Sequence, residues 1–246
     1  MAAPVDSAAP VRPRTVPWIA MYHSVGDCSD DPYRITVTPD RLDRQLAWLG
    51  RRGLRGVSVT ELLAAPHRAG LVGLTFDDGY ADFLTDALPV LRRHGFGATL
   101  FVLPGRLGGD NAWDPLGPRK PLLTADGIRE AARAGIEIGS HGLTHVDLTG
   151  TDDLRLKSEV VESRAALEGI TGTEAGGFCY PYGALDERAV DVVREAGYRY
   201  ACAIDPGPFD GPLALPRVHV GQNDTALRLF LKHRLHRLRR RPVEGI

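Results

Sequence analysis

Two adjacent carboxylates, Asp77 and Asp78, end an apolar run in "LTFDDGY" (74–80), and two imidazoles four apart, His141 and His145, follow another in "IGSHGLTHVDL" (138–148). Nitrogen and oxygen donors of this kind suit a zinc-type divalent cation, and a catalytic site keeps one coordination position open for water. The two histidines with one of the aspartates supply three ligands, leaving the other aspartate to face a water beside the ion. A spacing of four places both imidazoles on one face of a helical turn. Adjacent acids on an extended backbone point to opposite sides, so the pair can divide two tasks. Each motif also has a plain structural reading. Asp78-Gly79 makes an ordinary turn with Asp77 capping the next helix, and a histidine pair at this spacing arises often by chance. Two such motifs after separate apolar runs weigh far more than either alone.

A third stretch, "GGFCYPYGALDERAV" (176–190), passes from apolar residues through Tyr180-Pro181-Tyr182-Gly183 toward a helix-like pattern. Such a turn can aim backbone N–H groups at a developing oxyanion, or can simply be an aromatic turn stiffened by proline. His23 sits at the end of the apolar run in "PWIAMYHSVGD" (17–27), and His219 lies in "LPRVHV" two residues after Arg217. An exposed basic strand face is the bland explanation for Arg217 and His219. His67, His94, His233 and His236 fall in loop-like or basic surface segments.

Strand-like and helix-like stretches alternate from Trp18 onward and must position these groups. "LVGLTF" (71–76), "ATLFVL" (98–103), "IEIGS" (136–140), "GFCYP" (177–181), "YRYACAI" (198–204) and "LALPRVHV" (213–220) read as strands. Helices fit between them, one capped by Thr124 and one over 152–168 with Leu154, Val160, Val161, Ala165 and Leu167 on its apolar side. The alternation predicts βα units around a parallel sheet, in the form of a closed or nearly closed β/α barrel. Catalytic groups of such barrels sit at the carboxyl ends of the strands, where both motifs fall and where His23 is better placed than His219.

The chain has 246 residues, 43% hydrophobic and 25% charged, with a net charge of −1. That suits one domain of barrel size over residues 17–246 and argues against a dedicated nucleic-acid binder. The three cysteines, Cys28, Cys179 and Cys202, have neither disulfide-framework nor zinc-cluster spacing. Residues 1–16, rich in Ala and Pro and interrupted by charge, lack a secretory apolar centre and predict a flexible tail on a cytoplasmic protein.

With these motifs in view, the chain resembles the polysaccharide deacetylases of carbohydrate esterase family 4, defined by the NodB homology domain. "TFDDGY" matches the family's first motif, "SHGLTH" its histidine motif and "YPYG" its third, and the likeness runs from about Trp18 to about Val220. "MYHSV" further resembles a branch whose catalytic-histidine motif lies on the N-terminal side. The resemblance implies a distorted (β/α) barrel of the NodB type and removal of an N-acetyl group from an amino sugar. It implies Asp77 as base, His23 as acid, and a divalent ion on Asp78, His141 and His145, Zn²⁺ by expectation with Co²⁺, Ni²⁺ or Mn²⁺ as alternatives. The Tyr182 amide, beside Pro181, would hold the oxyanion. Many members carry an arginine where this chain has Cys179, and Arg217 is the expected substitute. The tryptophan of the usual fourth motif is also missing. Another C–N hydrolysis on the same scaffold, such as deformylation or imide hydrolysis, is the runner-up activity, and a non-catalytic glycan module the third reading.

The closing stretch "NDTALRLFLKHRLHRLRRRP" (223–242) reads as a basic amphipathic helix. It is either the last barrel helix with a basic, solvated outer face or a contact for an anionic membrane.

Overall fold

The computed structural model describes residues 17–236. The strands are β1 (Ile19–Tyr22), β2 (Ser24–Val25), β3 (Thr36–Val37), β4 (Arg55–Val57), β5 (Leu71–Phe76), β6 (Thr99–Val102), β7 (Glu137–Ser140), β8 (Gly177–Cys179), β9 (Tyr200–Ala203), β10 (Leu215–Pro216) and β11 (Val218–His219). The helices are α1 (Pro39–Arg51), α2 (Val59–Ala64), α3 (Leu88–His94), α4 (Ala125–Arg133), α5 (Asp153–Thr171), α6 (Glu187–Glu195) and α7 (Ala226–Leu235).

The main sheet runs β10-β9-β8-β7-β6-β5-β1-β11, with every pairing parallel. β10 and β11 stand at its two edges yet are separated in sequence only by Arg217. One broken strand therefore pairs with β9 through Leu215 and Pro216 and with β1 through Val218 and His219, closing the barrel. β4 pairs with the first half of β5, at Leu71–Gly73, and β6 pairs with its end, at Thr75 and Phe76. The expected barrel is present, and the expected last strand is two short pieces.

Near-continuous apolar strands are buried on both faces, as parallel barrel strands must be. Ile19, Leu74, Phe76, Leu100 and Phe178 are fully buried, each worth about 1.5–3 kcal/mol of apolar transfer. Thr38, Ser58, Thr124, Asp152 and Asp186 cap α1, α2, α4, α5 and α6 through side-chain oxygens, satisfying N–H groups the helices leave open.

Several expectations are corrected. On α5 the buried residues include Leu156, Val160 and Leu167, whereas Leu154 and Val161 are exposed. His233 and His236 pack against Trp18, with ring centroids 4.5 and 6.1 Å away, and His94 bonds to Asp43. The small parallel ribbon β2–β3 has no clear sequence signal. The tail over 1–16 and the helix expected beyond His236 lie outside the described residues. Among those described, no helix is long and apolar enough to cross a membrane.

Candidate active site

β5 delivers Asp77 and Asp78 to the barrel mouth, both nearly inaccessible. The backbone at Asp78 is not extended as expected. Asp78 has φ +72° and Gly79 +69°, so the chain turns sharply and the two carboxylates part company. An aspartate tolerates this left-handed conformation better than most residues. Gly79 is also required by space, because a Cβ there would lie 2.9 Å from Val102 Cγ1. Asp77 caps no helix.

The two histidines converge differently from expectation. Residues 141–147 form an irregular loop, turned at Gly142 (φ +79°) and His145 (φ +66°), with no helical turn. Glu159 of α5, fully buried, holds this loop. It accepts hydrogen bonds from Leu143 N (2.7 Å), Thr144 N (2.8 Å) and Thr144 Oγ1 (2.5 Å), and pairs with Arg155 at 2.6 Å. Its role was not read from the sequence. The available signal was a carboxylate on the buried side of an amphipathic helix, which needs partners to be there.

His141 Nε2 and His145 Nε2 each lie 3.3 Å from Asp78 Oδ1. The His141 Nδ1–H donates to the Cys179 carbonyl at 2.8 Å; a carbonyl only accepts, so Nε2 keeps its lone pair for the cluster. Asp78 Oδ1 is buried without a hydrogen-bond partner. An orphaned buried carboxylate oxygen facing two imidazole nitrogens is costly on its own and well matched to a divalent cation. Burial pushes the Asp78 carboxyl up, but the two imidazoles outweigh it and hold it well below the ordinary carboxylate range. Asp77, His141 and Cys179 also bring donor atoms close together, but both Asp77 oxygens are already taken by a cation.

That cation is Arg217, buried inside the barrel at the break between β10 and β11. Its Nη1 donates to Asp77 Oδ1 at 2.6 Å and its Nη2 to Asp77 Oδ2 at 2.7 Å, with further contacts to Thr75 Oγ1 and Cys179 Sγ, both at 3.0 Å. The exposed basic face considered for Arg217 is thereby excluded. Burial raises the Asp77 carboxyl, yet Arg217, aided by His141 and His23, brings it below its usual value. Cys179 is small enough to leave room for a guanidinium arriving from another strand.

His23 Nε2 lies 3.9 Å from Asp77 Oδ2, and its Nδ1 is buried without a partner. Burial lowers its pKa, partly offset by Asp77 and Asp78. The His219 ring is 6.3 Å from that of His23, and burial lowers its pKa too. These groups open into a cavity of about 460 Å³ with an aromatic rim. Trp113 stacks on His145 at 4.5 Å, and Tyr182 meets the same ring edge-on at 4.6 Å. Tyr182 has φ +59°, directly after buried Pro181. Trp113 brings an indole to the site from the segment between β6 and α4, far in sequence from the family's usual fourth motif. Asp114 beside it lines the same cavity, its carboxyl raised by burial and by Asp78.

The sequence profile described as polysaccharide deacetylase matches residues 64–201. Bacillus subtilis YxkH, which carries a polysaccharide-deacetylase name, is 27% identical over 231 residues, covering 90% of this chain and 77% of that protein. The poly-beta-1,6-N-acetyl-D-glucosamine N-deacetylase of Escherichia coli K12 is 26% identical over 250 residues; 82% of this chain is matched, but only 36% of that longer protein. The Streptococcus pyogenes deacetylase PplD, solved with acetate, superposes with a TM-score of 0.76 at 23% identity, over 89% of this chain and 98% of that one. This likeness establishes the nearly closed barrel of parallel strands. The chain belongs to the polysaccharide deacetylase family, whose members are metal-dependent carbohydrate hydrolases.

Proposed function

We propose that this chain hydrolyses the N-acetyl group of an amino-sugar-containing glycan or glycoconjugate. Asp78, His141 and His145 would hold the divalent ion, Zn²⁺ in this reading with Co²⁺, Ni²⁺ or Mn²⁺ as substitutes, and the ion would supply a Lewis acid for the amide carbonyl and for water. Asp77, kept ionised and aimed by Arg217, takes a proton from the attacking water as the new C–O bond forms. The Tyr182 N–H, set by Pro181, donates to the oxyanion. His23 delivers a proton to the sugar nitrogen as the C–N bond breaks, because an amine leaves poorly without one. The products are acetate and the free amino sugar. Trp113 and Tyr182 offer apolar faces for the pyranose ring.

The observation that carries this reading is the Arg217-held Asp77 lying between an orphaned Asp/His/His cradle and His23. The relatives' names point to acetylated polysaccharide. Acetate release from N-acetylated monosaccharides, oligosaccharides and polymers, with each metal added to chelated protein, tests it. Turnover of formamides or cyclic imides without any acetate release would favour the runner-up reaction.

A further inference from the structure

The outer face of α7 separates the two readings of the closing helix. The helix packs on the core through Leu229, 3% exposed, and through half-buried Phe230. Leu227, Leu231 and Leu235, spaced by four on the opposite side, are 66%, 45% and 47% exposed. A solvated basic face would not carry three outward leucines in a row.

Charge is concentrated at the same end of the chain. Residues 226–246 hold seven of the 30 Lys and Arg and one of the 31 Asp and Glu, so they carry +6 where the whole chain carries −1. Beside the helix, a cavity of about 290 Å³ is lined by Arg52, Leu54, Phe230, His233 and Arg234. Both guanidiniums lie over the Phe230 ring, at 5.3 and 5.4 Å, and neither has a carboxylate partner among the described residues.

We propose that α7 is an interfacial anchor for an anionic phospholipid surface. Leu227, Leu231 and Leu235 enter the boundary between headgroups and acyl chains, and Arg52 and Arg234 receive a lipid phosphate. An amphipathic helix with leucines on one face and arginines flanking them binds in this way, through apolar burial added to attraction by anionic headgroups. Charge complementarity selects this occupant. Pairing of the same face in two copies would oppose two strongly cationic ends. Residues 1–16, with Arg12 and Arg14 against Asp6 and no large apolar side chain beyond valine and methionine, match neither the leucines nor the charge. The helix also borders the catalytic side: Arg228 and Lys232 line a polar cavity whose wall includes His219, which lines the catalytic cavity as well. The inference is independent of the proposed reaction.

Co-sedimentation of the full chain with vesicles of phosphatidylglycerol and phosphatidylcholine, against phosphatidylcholine alone, tests it. Binding should require phosphatidylglycerol and weaken with salt. The triple variant Leu227→Ser, Leu231→Ser, Leu235→Ser should lose affinity by about a hundredfold or more, and Arg52→Gln with Arg234→Gln by about thirtyfold. Both should keep the wild-type circular dichroism and acetate release from a soluble substrate. No binding to phosphatidylglycerol vesicles at low salt would overturn the proposal, as would a triple leucine variant that sediments like the wild type. A dimer seen by light scattering and lost in the triple variant, without vesicle binding, would assign the face to a second copy and equally overturn it. A chain that binds vesicles but releases no acetate would fail the proposed function alone.

Discussion

Arg217 holds both oxygens of Asp77 in a fork, at 2.6 and 2.7 Å, from the one-residue break that closes the barrel. A planar guanidinium fixes a carboxylate in both position and rotation. The same contact lowers the Asp77 pKa against the upward push of burial. The backbone of the broken strand closes the barrel, and the side chain at the break aligns the base.

Replacing that side chain should separate its two effects. Arg217→Lys retains a charge but loses the fork, and kcat should fall by about 10–10²-fold while the fold survives. Arg217→Ala leaves a buried carboxylate unpaired, a loss of about 3–5 kcal/mol in denaturant unfolding. In either variant the Asp77 pKa rises, so the base stays protonated to higher pH. The acid limb of kcat/KM should therefore move to higher pH than in wild type. An unmoved acid limb would mean that Asp77 is not the titrating base.

Metal retention and rate should come apart between neighbouring aspartates. Asp78→Asn, His141→Ala and His145→Ala should each lower bound metal, measured by elemental analysis after gel filtration. Asp77→Asn should keep the metal and lose about 10²–10⁴-fold in kcat, the usual contribution of general-base catalysis. Loss of metal in Asp77→Asn would place that residue among the ligands instead.

The sequence was most legible where a single strand ends in reactive side chains. The run "LVGLTF" is β5 residue for residue, because a buried parallel strand must be continuously apolar and its end must turn. Thr124 showed where α4 begins, since unpaired N–H groups demand a side-chain acceptor, and the apolar period of 152–168 found α5 without marking Asp152 as its cap. The histidine spacing brought the two side chains together by a route the fold does not use. A helical turn and a loop with left-handed Gly142 and His145 both bring residues 141 and 145 together. Tertiary partners were the hidden part. Nothing local marks Trp113 as a neighbour of His145 or Glu159 as the clamp of its loop, and Arg217 was reached only through the family resemblance, its own residues reading equally as an exposed basic face. Those relations depend on which strands close on which, and a hydrophobic period does not record that.

Glu159 is a positioning residue, and its removal should be felt at the metal. Glu159→Gln retains size but replaces one acceptor oxygen with a donor beside the Leu143 and Thr144 N–H groups. Metal affinity should drop by about 10–100-fold, as for other groups that orient ligands from behind. At saturating metal most of the kcat should return, which a general loss of folding would not allow. Metal titration by calorimetry and the thermal midpoint of the metal-free protein together check this.

The acid assignment rests on His23 Nε2 lying 3.9 Å from Asp77 Oδ2, and its pKa gives a direction to test. Burial holds the His23 imidazole below its ordinary value of 6.5. An acid must start protonated, so the rate is full below that pKa and is lost as pH rises through it. The alkaline limb of kcat on an acetamide should therefore lie below about 6.5 when proton delivery limits turnover. His23→Ala should flatten that limb, keep the bound metal, and lower kcat by about 10²-fold or more. The same variant should lose far less on an aryl acetate, whose leaving group departs without a proton. His219→Ala should leave the limb and the amide-to-ester ratio unchanged. If His219→Ala shows these effects and His23→Ala does not, the acid belongs to β11. Equal losses of His23→Ala on amide and ester would make His23 a substrate-positioning group.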